Sequence, residues 1–263
     1  MPTEKWTVTY IIRRQKAGGK QYDERFSVEV SPDEFVLDGI ERIWAFQDRS
    51  LTFRHACHHA TCGACGMLVN GVEKLTCITP IRDVTENGGT IKVEPLRNFP
   101  VISDLVVDLA PLYQRMEEIQ AQTVLPVMEL PNTSPSIGQS PAPPSYKNEP
   151  VLRLVDCIEC GLCISACPVQ ATNPDYIGPA IIAAAQLQNL EQNAALCAIL
   201  ESEEGVWQCH SAFECTAVCP SNVEPAWRIM EVRKQLVNLT LHLPLKKKRK
   251  EKKSHEQQRH EKY

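Results

Sequence analysis

Cys157-Ile-Glu-Cys160-Gly-Leu-Cys163-Ile-Ser-Ala-Cys167-Pro168 governs how the C-terminal half of this 263-residue chain folds. Its spacing, Cys-x2-Cys-x2-Cys-x3-Cys-Pro, is that of a short loop wrapped around a cubane iron–sulfur cluster. In two-cluster proteins the fourth cysteine of such a run binds the other cluster, so a second run is expected downstream. It is present as Cys209-His-Ser-Ala212-Phe-Glu-Cys215-Thr-Ala-Val-Cys219-Pro220. The two runs predict an electron-transfer protein.

The crossed-ligand rule divides these cysteines into two sites. The set predicted to hold a 4Fe–4S cluster is Cys157, Cys160, Cys163 and Cys219. The crossed set is Cys167, Cys209 and Cys215. A second full cubane needs a cysteine three residues after Cys209, but that position is Ala212, which has no atom that binds iron. Three thiolates hold three irons, so this site is predicted to be 3Fe–4S. The alternative is a 4Fe–4S cluster with water or another group on its fourth iron.

A third cysteine group has the spacing Cys-x4-Cys-x2-Cys-x11-Cys, which is typical of plant-type 2Fe–2S ferredoxins. Its members are Cys57, Cys62, Cys65 and Cys77. The residues between them, Gly63, Ala64 and Gly66, have little bulk and let a loop bring its N–H groups close to cluster sulfurs. Zinc also accepts four thiolates, but zinc sites usually combine two close cysteine pairs. The spacing therefore favours iron–sulfur over zinc.

The composition excludes a disulfide scaffold and a membrane span. Twelve cysteines occur in a chain with 43% hydrophobic and 23% charged residues. Secreted disulfide scaffolds are short and follow a signal peptide, and the N-terminus has no apolar segment of that kind. No run approaches the roughly 18 apolar residues of a membrane helix. We therefore expect a reducing compartment. Cys197 lies outside the motifs, in an apolar helical stretch, and is predicted to be a buried, inert thiol.

Hydrophobic patterning predicts the N-terminal fold. Residues 5–13 and 25–30 alternate as two strands of a β-hairpin, and a helix is predicted from Ser31, with Glu34 completing a capping box. Its residues Leu37, Ile40 and Trp44 are expected to cover the sheet. Further strands are predicted at 67–69, 75–78 and 90–94, and a helix over 101–122. A mixed sheet crossed by one helix is the β-grasp plan.

The predicted class is α+β with four segments. Residues 1–125 form a 2Fe–2S ferredoxin-like β-grasp domain with its following helix, and 126–150 form a Pro-rich linker. Residues 151–243 form an α-helical two-cluster ferredoxin-like domain, and 244–263 form a basic tail. Within the helical domain we expect helices at 179–190, at 192–203 and after Pro225. The last of these places Ile229, Val232 and Leu236 on one stripe.

Charge is divided unevenly along the chain. Residues 245–263 contain nine Lys and Arg and three Glu, a net charge of +6, and the remainder carries −10. A basic tail on an acidic body suggests attraction to anionic lipid or nucleic acid, whereas a merely solvated tail is the simpler reading. No nucleotide-binding fingerprint is present, so substrate chemistry is expected on another chain.

Two strings extend the cysteine pattern into a family resemblance. With Thr76-Cys77-Ile78-Thr79-Pro80, Asn173-Pro174-Asp175-Tyr176-Ile177-Gly178-Pro179-Ala180 and the Ala212 gap, the chain resembles the iron–sulfur subunit of succinate dehydrogenase/fumarate reductase from about Thr7 to about Asn238. The resemblance implies a flavoprotein partner carrying FAD, one or more membrane-anchor subunits, and a quinone. It also implies a peripheral position on the cytoplasmic face of the membrane and no nucleic-acid partner. The linker and the tail lie outside the resemblance; attraction of the tail's lysines and arginines to anionic lipid is a separate hypothesis.

The resemblance also implies a quinone pocket at the last cluster. Matching positions are Pro168, beside Cys167, and His210, beside Cys209; the alternative for His210 is a hydrogen bond near a cluster sulfur with no quinone role. Many members carry a tryptophan shortly after the first of these cysteines, and residues 169–172 of this chain have none.

Three other functions compete with this reading. One is the equivalent subunit of a related flavoenzyme, such as a thiol-linked fumarate reductase or a glycolate-oxidase-like enzyme. Another is a free electron-carrier ferredoxin, which the long linker and second domain disfavour. The third is a zinc-binding regulator whose tail binds nucleic acid.

Overall fold

The computed structural model describes residues 4–16, 18–120 and 157–241. The predicted Pro-rich linker at 126–150 and basic tail at 244–263 lie outside these ranges. Among the described helices, none combines the length and the apolar character needed to cross a bilayer.

The N-terminal half is built on a five-stranded mixed sheet of order β2-β1-β5-β3-β4. Its strands are β1 (Trp6–Arg14), β2 (Tyr22–Val30), β3 (Gly66–Val69), β4 (Val72–Leu75) and β5 (Thr90–Glu94). The pair β1–β5 is parallel, and the other neighbouring pairs are antiparallel. Helix α1 (Val36–Phe46) crosses the sheet. This arrangement confirms the predicted β-grasp plan.

Alternation along β1 places one set of side chains in the core, because successive side chains of a strand point to opposite faces. Val8, Tyr10 and Ile12 are fully buried there. The helix packs closely over them at Gly39, where an added Cβ would overlap the Tyr10 ring. A glycine is therefore needed at this crossing point.

Helix α1 begins four residues later than predicted, with Phe35 rather than Ser31 at the cap position. The Ser31 N–H does donate to Glu34 Oε2 at 2.8 Å, but this bond closes a turn that precedes the helix. The helix start is held instead by the Phe35 N–H, which donates to Asp38 Oδ2 at 2.8 Å. The predicted burial of Trp44 is also wrong, since 39% of it is exposed, with the Arg49 guanidinium over its ring.

The segment 101–122 is not one helix. It contains a short hairpin, β6 (Val101–Ser103) and β7 (Val106–Val107), followed by helix α2 (Ala110–Glu118). The turn residue Asp104 has φ of 47°, and helix α2 starts where Asp108 Oδ1 accepts the Ala110 N–H. Val101, Ile102, Val106 and Val107 are β-branched and favour strands. The prediction of one helix over the whole segment was therefore wrong for the hairpin. Residues 76–78 likewise form a short 3₁₀ turn, so β4 ends before them.

A buried ion cluster fastens this hairpin to the sheet. The Arg14 side chain is 1% exposed, and its guanidinium lies 2.6 Å from Asp48, 3.2 Å from Asp104 and 2.5 Å from Glu24. Asp104 is fully buried and also pairs with Lys16 at 2.7 Å. Hydrogen bonds from Arg14 and Ser50 lower the pKa of Asp48 to about 2. The cluster therefore holds the end of β1 and the hairpin turn together.

We expect Arg14→Met to destabilise the protein by about 3–5 kcal/mol, because it leaves the buried Asp104 carboxylate with Lys16 as its remaining ion partner. The matched control is Arg82→Met, whose pair with Asp33 is exposed on both sides and whose loss costs about 0–1 kcal/mol. Thermal unfolding of the anaerobic protein with its clusters measures both. Equal midpoint shifts in the two variants would show that the buried cluster contributes no more than a surface pair.

The C-terminal half is helical and has its own core. Its helices are α3 (Leu162–Ser165), α4 (Pro168–Thr172), α5 (Pro179–Ala185), α6 (Ala194–Leu200), α7 (Glu214–Ala217) and α8 (Pro225–Thr240). Helix α8 buries Ile229, Val232 and Leu236, as its stripe predicted. Helices α5 and α6 are shorter than predicted, because a 3₁₀ turn at residues 190–192 separates them and the Asn193 side chain caps α6. Helix α2 packs into this same core.

Candidate iron–sulfur sites

We number the cysteine groups by their order along the chain, so the first group is the predicted 2Fe–2S set of Cys57, Cys62, Cys65 and Cys77. Its first two members lie on a tightly curled loop after α1. His58, Ala60 and Gly63 have positive φ, which turns the loop's N–H groups inward. The Cys57 Sγ accepts the N–H groups of Thr61 at 3.3 Å and Cys62 at 3.4 Å. Together with the His59 N–H, these donors lower the pKa of the Cys57 thiol to about 6. Such donors stabilise a thiolate, which is the form that binds iron.

The other two members of this group are buried beneath the loop. Cys65 and Cys77 are 3% and 2% exposed, and the Thr76 N–H and Oγ1 both donate to the Cys65 carbonyl. Burial and a hydrogen bond with the Cys65 thiol raise the pKa of Cys77 to about 12. A raised pKa means that a cation must be present to keep this thiol deprotonated, as a cluster iron does. The structure therefore brings the four thiols together in a setting that fits a 2Fe–2S cluster.

The second group, predicted to hold the 4Fe–4S cluster, lines one apolar cavity of the helical half. The thiols around it are those of Cys157, Cys160, Cys163 and Cys219. Burial raises the pKa of Cys160 to about 12 and that of Cys163 well above its usual range. The Val223 N–H donates to Cys219 Sγ at 3.3 Å. Four thiols around a dry cavity with an N–H donor fit a 4Fe–4S cluster.

The crossed group lines a separate cavity. Cys167, Cys209 and Cys215 line it, and so does Ala212. The Ser211 N–H donates to Cys209 Sγ at 3.4 Å, and burial raises the pKa of Cys215 to about 12. Buried Tyr176 lines the same cavity, and its hydroxyl has no hydrogen-bond partner among the residues that the structure describes. It is placed to donate to a sulfur acceptor there.

The two residues suggested for quinone binding lie at the edge of this cavity. Pro168 begins α4, and His210 follows Cys209; both line the cavity and both are exposed. The structure thus brings them to one site with the crossed thiols.

Cys197 lies outside all three groups. It is half-buried, so the prediction of a fully buried thiol is wrong. Its Sγ donates to the Leu190 carbonyl at 3.3 Å, and burial raises its pKa. The helix that carries it exposes Ala194, Ala195 and Ala198, which explains why an apolar stretch is not enclosed.

Residues that dock the two halves were not identified from the sequence. The Glu73 Oε1 accepts the Ser165 hydroxyl at 2.8 Å and Arg97 Nη2 at 2.8 Å. The neighbouring Asn98 amide donates to the carbonyls of Ile164 at 2.8 Å and Ser165 at 3.1 Å. These bonds hold α3, and with it the Cys157–Cys167 run, against the sheet. They join residues far apart in sequence, so no local motif marks them.

The two cluster-bearing loops also meet directly. An added Cβ at Gly63, whose φ is +70°, would lie 2.8 Å from the Cys160 Cβ and 3.0 Å from the Ile158 carbonyl oxygen. Gly63 follows Cys62 of the first group. The backbones of the two loops are therefore in van der Waals contact, at Gly63 beside Cys62 in one loop and at Cys160 in the other.

Arg233 was also missed, and it shapes the crossed site. From α8 its guanidinium donates to the carbonyls of Cys209 at 2.6 Å and Val206 at 2.9 Å. These carbonyls belong to the turn that presents Cys209. An arginine on an amphipathic helix carries no such signal in the sequence, because most are solvated.

Comparisons with known proteins agree with this geometry. Residues 9–114 match the 2Fe-2S iron-sulfur cluster binding domain, and residues 153–223 match the 4Fe-4S dicluster domain. The chain is 35% identical over 223 residues to a fumarate reductase iron-sulfur subunit of Mycobacterium tuberculosis, covering 80% of this chain and 84% of that protein. It is 31% identical to an Arabidopsis thaliana mitochondrial succinate dehydrogenase iron-sulfur subunit, covering 85% and 72%.

A solved structure shares the fold. A chain of the Mycobacterium smegmatis Sdh1 complex in the apo form superposes with a TM-score of 0.69 at 24% identity, covering 89% of this chain and 97% of that one. The predicted fold class is thereby confirmed. By the extent of its likeness to curated relatives, this chain belongs to the iron–sulfur subunits of succinate dehydrogenase and fumarate reductase, which transfer electrons within those oxidoreductases.

Proposed function

We propose that this subunit relays electrons between the FAD of a flavoprotein subunit and a quinone at membrane-anchor subunits. The relay passes through a 2Fe–2S, a 4Fe–4S and a 3Fe–4S cluster in that order. When bound, each cluster accepts and releases one electron at a time. The chain's own residues hold the clusters, exclude water from them and set the distance between them.

The single observation that carries this proposal is Ala212 in the cavity of the crossed thiols. Cys167, Cys209 and Cys215 offer three thiols to this cavity, and Ala212, at the sequence position of the fourth cysteine of a full cubane, lines it with a methyl group that cannot bind iron. A site with three thiolates supports a 3Fe–4S cluster. The cavity is also lined by the exposed residues Pro168 and His210, so the site lies near the protein surface.

The order of the sites is supported by two close approaches. Gly63 contacts Cys160, which joins the first group to the second. Cys163 of the second group lies near enough to Cys215 of the third for their charges to interact. The second group is therefore the middle one, and electrons enter and leave at the outer two.

A quinone and an anchor subunit suit the surface beside the third site. Trp207 and Trp227 are 49% and 57% exposed. Trp227 packs edge-on against Phe213, which lines the cavity together with Pro168 and His210. Exposed tryptophans are typical of surfaces that are covered by a partner or a membrane interface. This surface supports the proposed peripheral position at the membrane.

Replacing Ala212 with cysteine tests the assignment of the third cluster. EPR of the anaerobically purified native protein should show an oxidised 3Fe–4S signal and, on reduction, a 2Fe–2S signal. Ala212→Cys supplies a fourth thiolate, so the oxidised signal should disappear, iron should rise by about one per chain, and the potential of this site should fall.

Ala198→Cys is the matched control, because it adds a thiol on an exposed face of α6, and Ala198 lines neither of the two cysteine cavities. Its spectrum should equal that of the native protein. A native protein without the oxidised signal, or an Ala212→Cys protein that keeps it, would disprove the 3Fe–4S assignment.

A further inference from the structure

A further set of potential metal ligands, which contains no cysteine, lies outside the iron–sulfur sites. The side chains of Glu41, His55 and His58 converge on one point of the surface. His55 Nδ1 lies 3.1 Å from Glu41 Oε1, His58 Nε2 lies 3.3 Å from the same oxygen, and the two nitrogens are 3.2 Å apart. We name this set the His–Glu triad.

Protons alone do not satisfy the triad. His55 Nδ1 and His58 Nε2 form a hydrogen bond with each other, and a neutral imidazole has one N–H, so the three mutually close atoms cannot all pair. The Glu41 Oε1 is buried and makes no hydrogen bond within the described part of the chain, although both nitrogens lie within ion-pair distance. The two N–H groups are therefore not directed at the carboxylate. A buried carboxylate oxygen without a hydrogen bond, beside two imidazole nitrogens, is a donor set that a cation binds.

The triangle has the dimensions of a metal site. Zinc binds histidine nitrogen and carboxylate oxygen at about 2.0–2.2 Å, so the ligand atoms of a tetrahedral site are separated by about 3.3 Å. The three separations in the triad are 3.1, 3.2 and 3.3 Å. Two imidazoles and one carboxylate are also the donor set of open three-ligand zinc sites.

The surrounding structure holds the triad in place. Glu41 projects from α1, and the His55 ring stacks on Phe53 with centroids 5.1 Å apart and an interplanar angle of 18°. His58 has φ of 60°, a backbone conformation that costs energy in residues other than glycine. Favourable interactions of the side chain can offset this conformational cost, and binding of His58 to a metal would be one such interaction.

We propose that the His–Glu triad binds a zinc-class divalent cation, which fastens the loop of Cys57 to α1. His58 directly follows Cys57, so a cation at the triad also fixes the position of that ligand. His55 and His58 are 40% and 44% exposed, which leaves the fourth coordination position open to water or to a side chain of a partner subunit.

Zinc titration of the full-length protein, loaded with its iron–sulfur clusters and freed of other metals with EDTA, tests the proposal. Calorimetry should show about one site per chain. Zinc X-ray absorption should show only nitrogen and oxygen neighbours at about 2.0–2.2 Å. Glu41→Gln and His58→Gln should each weaken zinc binding at least about tenfold. The control His59→Gln changes a histidine of the same loop outside the triad and should bind as the native protein does.

Three results would overturn the proposal: no zinc bound by the loaded protein, a sulfur neighbour at about 2.3 Å, or unchanged affinity in Glu41→Gln. Iron content and the 2Fe–2S EPR signal are measured in each variant. If His58→Gln loses the cluster, Glu41→Gln still decides, because Glu41 lies on the helix and not on the cluster loop.

Discussion

Cys219→Ala is expected to remove the middle cluster and with it the folded state of the helical half. Cys219 comes from the second cysteine run, whereas the other thiols around its cavity come from the first. Without Cys219 three potential ligands remain, and the middle cluster no longer connects the first cysteine run to the second. Because metal binding to such sites contributes directly to folding free energy, we expect the cooperative unfolding of α5 and α8 to be lost.

Iron analysis and circular dichroism measure this effect. Iron should fall from about nine toward about two per chain, because the crossed cluster lies in the same helical half, and the 2Fe–2S signal should be retained. Cys197→Ala is the matched control, since it removes a half-buried thiol that lies outside all three groups. It should keep native iron content. A Cys219→Ala protein with full iron and native unfolding would show that Cys219 is not a ligand.

Gly63→Ala is expected to separate the first two clusters. The added Cβ meets the backbone and side chain of Cys160 and requires φ of +70°. A left-handed conformation costs a residue with a side chain about 1–2 kcal/mol, and overpacking adds about 1–3 kcal/mol. The loops must move apart, so we expect lower stability and slower reduction of the middle cluster. Freeze-quench EPR of the assembled complex after addition of succinate follows that reduction.

Gly71→Ala separates the two contributions. Gly71 has φ of +83°, but an added Cβ there meets nothing within 4 Å. It should therefore show the backbone cost of about 1–2 kcal/mol and a native rate of electron transfer. If both variants transfer electrons equally fast, the contact of Gly63 with Cys160 is not what sets the distance between the clusters.

Much of the N-terminal fold was predictable, because strand alternation and the turn at Asn70-Gly71 are local signals. The errors occur where a tertiary contact competes with a local signal. Ser31 and Glu34 form the bond of a capping box, but tertiary packing starts the helix at Val36. The segment 101–122 reads as helical until the ion cluster around Arg14 and Asp104 is known. That cluster joins residues 90 positions apart and fixes the turn of a hairpin that the β-branched residues also favour.

The amino-acid sequence alone predicted the three sets of cysteines, because an iron–sulfur loop recognises its cluster through ligand type and short-range spacing. It also predicted the missing fourth ligand, since residue 212 is alanine. Tertiary structure alone decided how the sites are joined: the contact of Gly63 with Cys160, the hold of Glu73 and Asn98 on α3, and the convergence of Glu41 with His55 and His58. These contacts depend on which distant segments pack together, and packing depends on the whole core rather than on any motif.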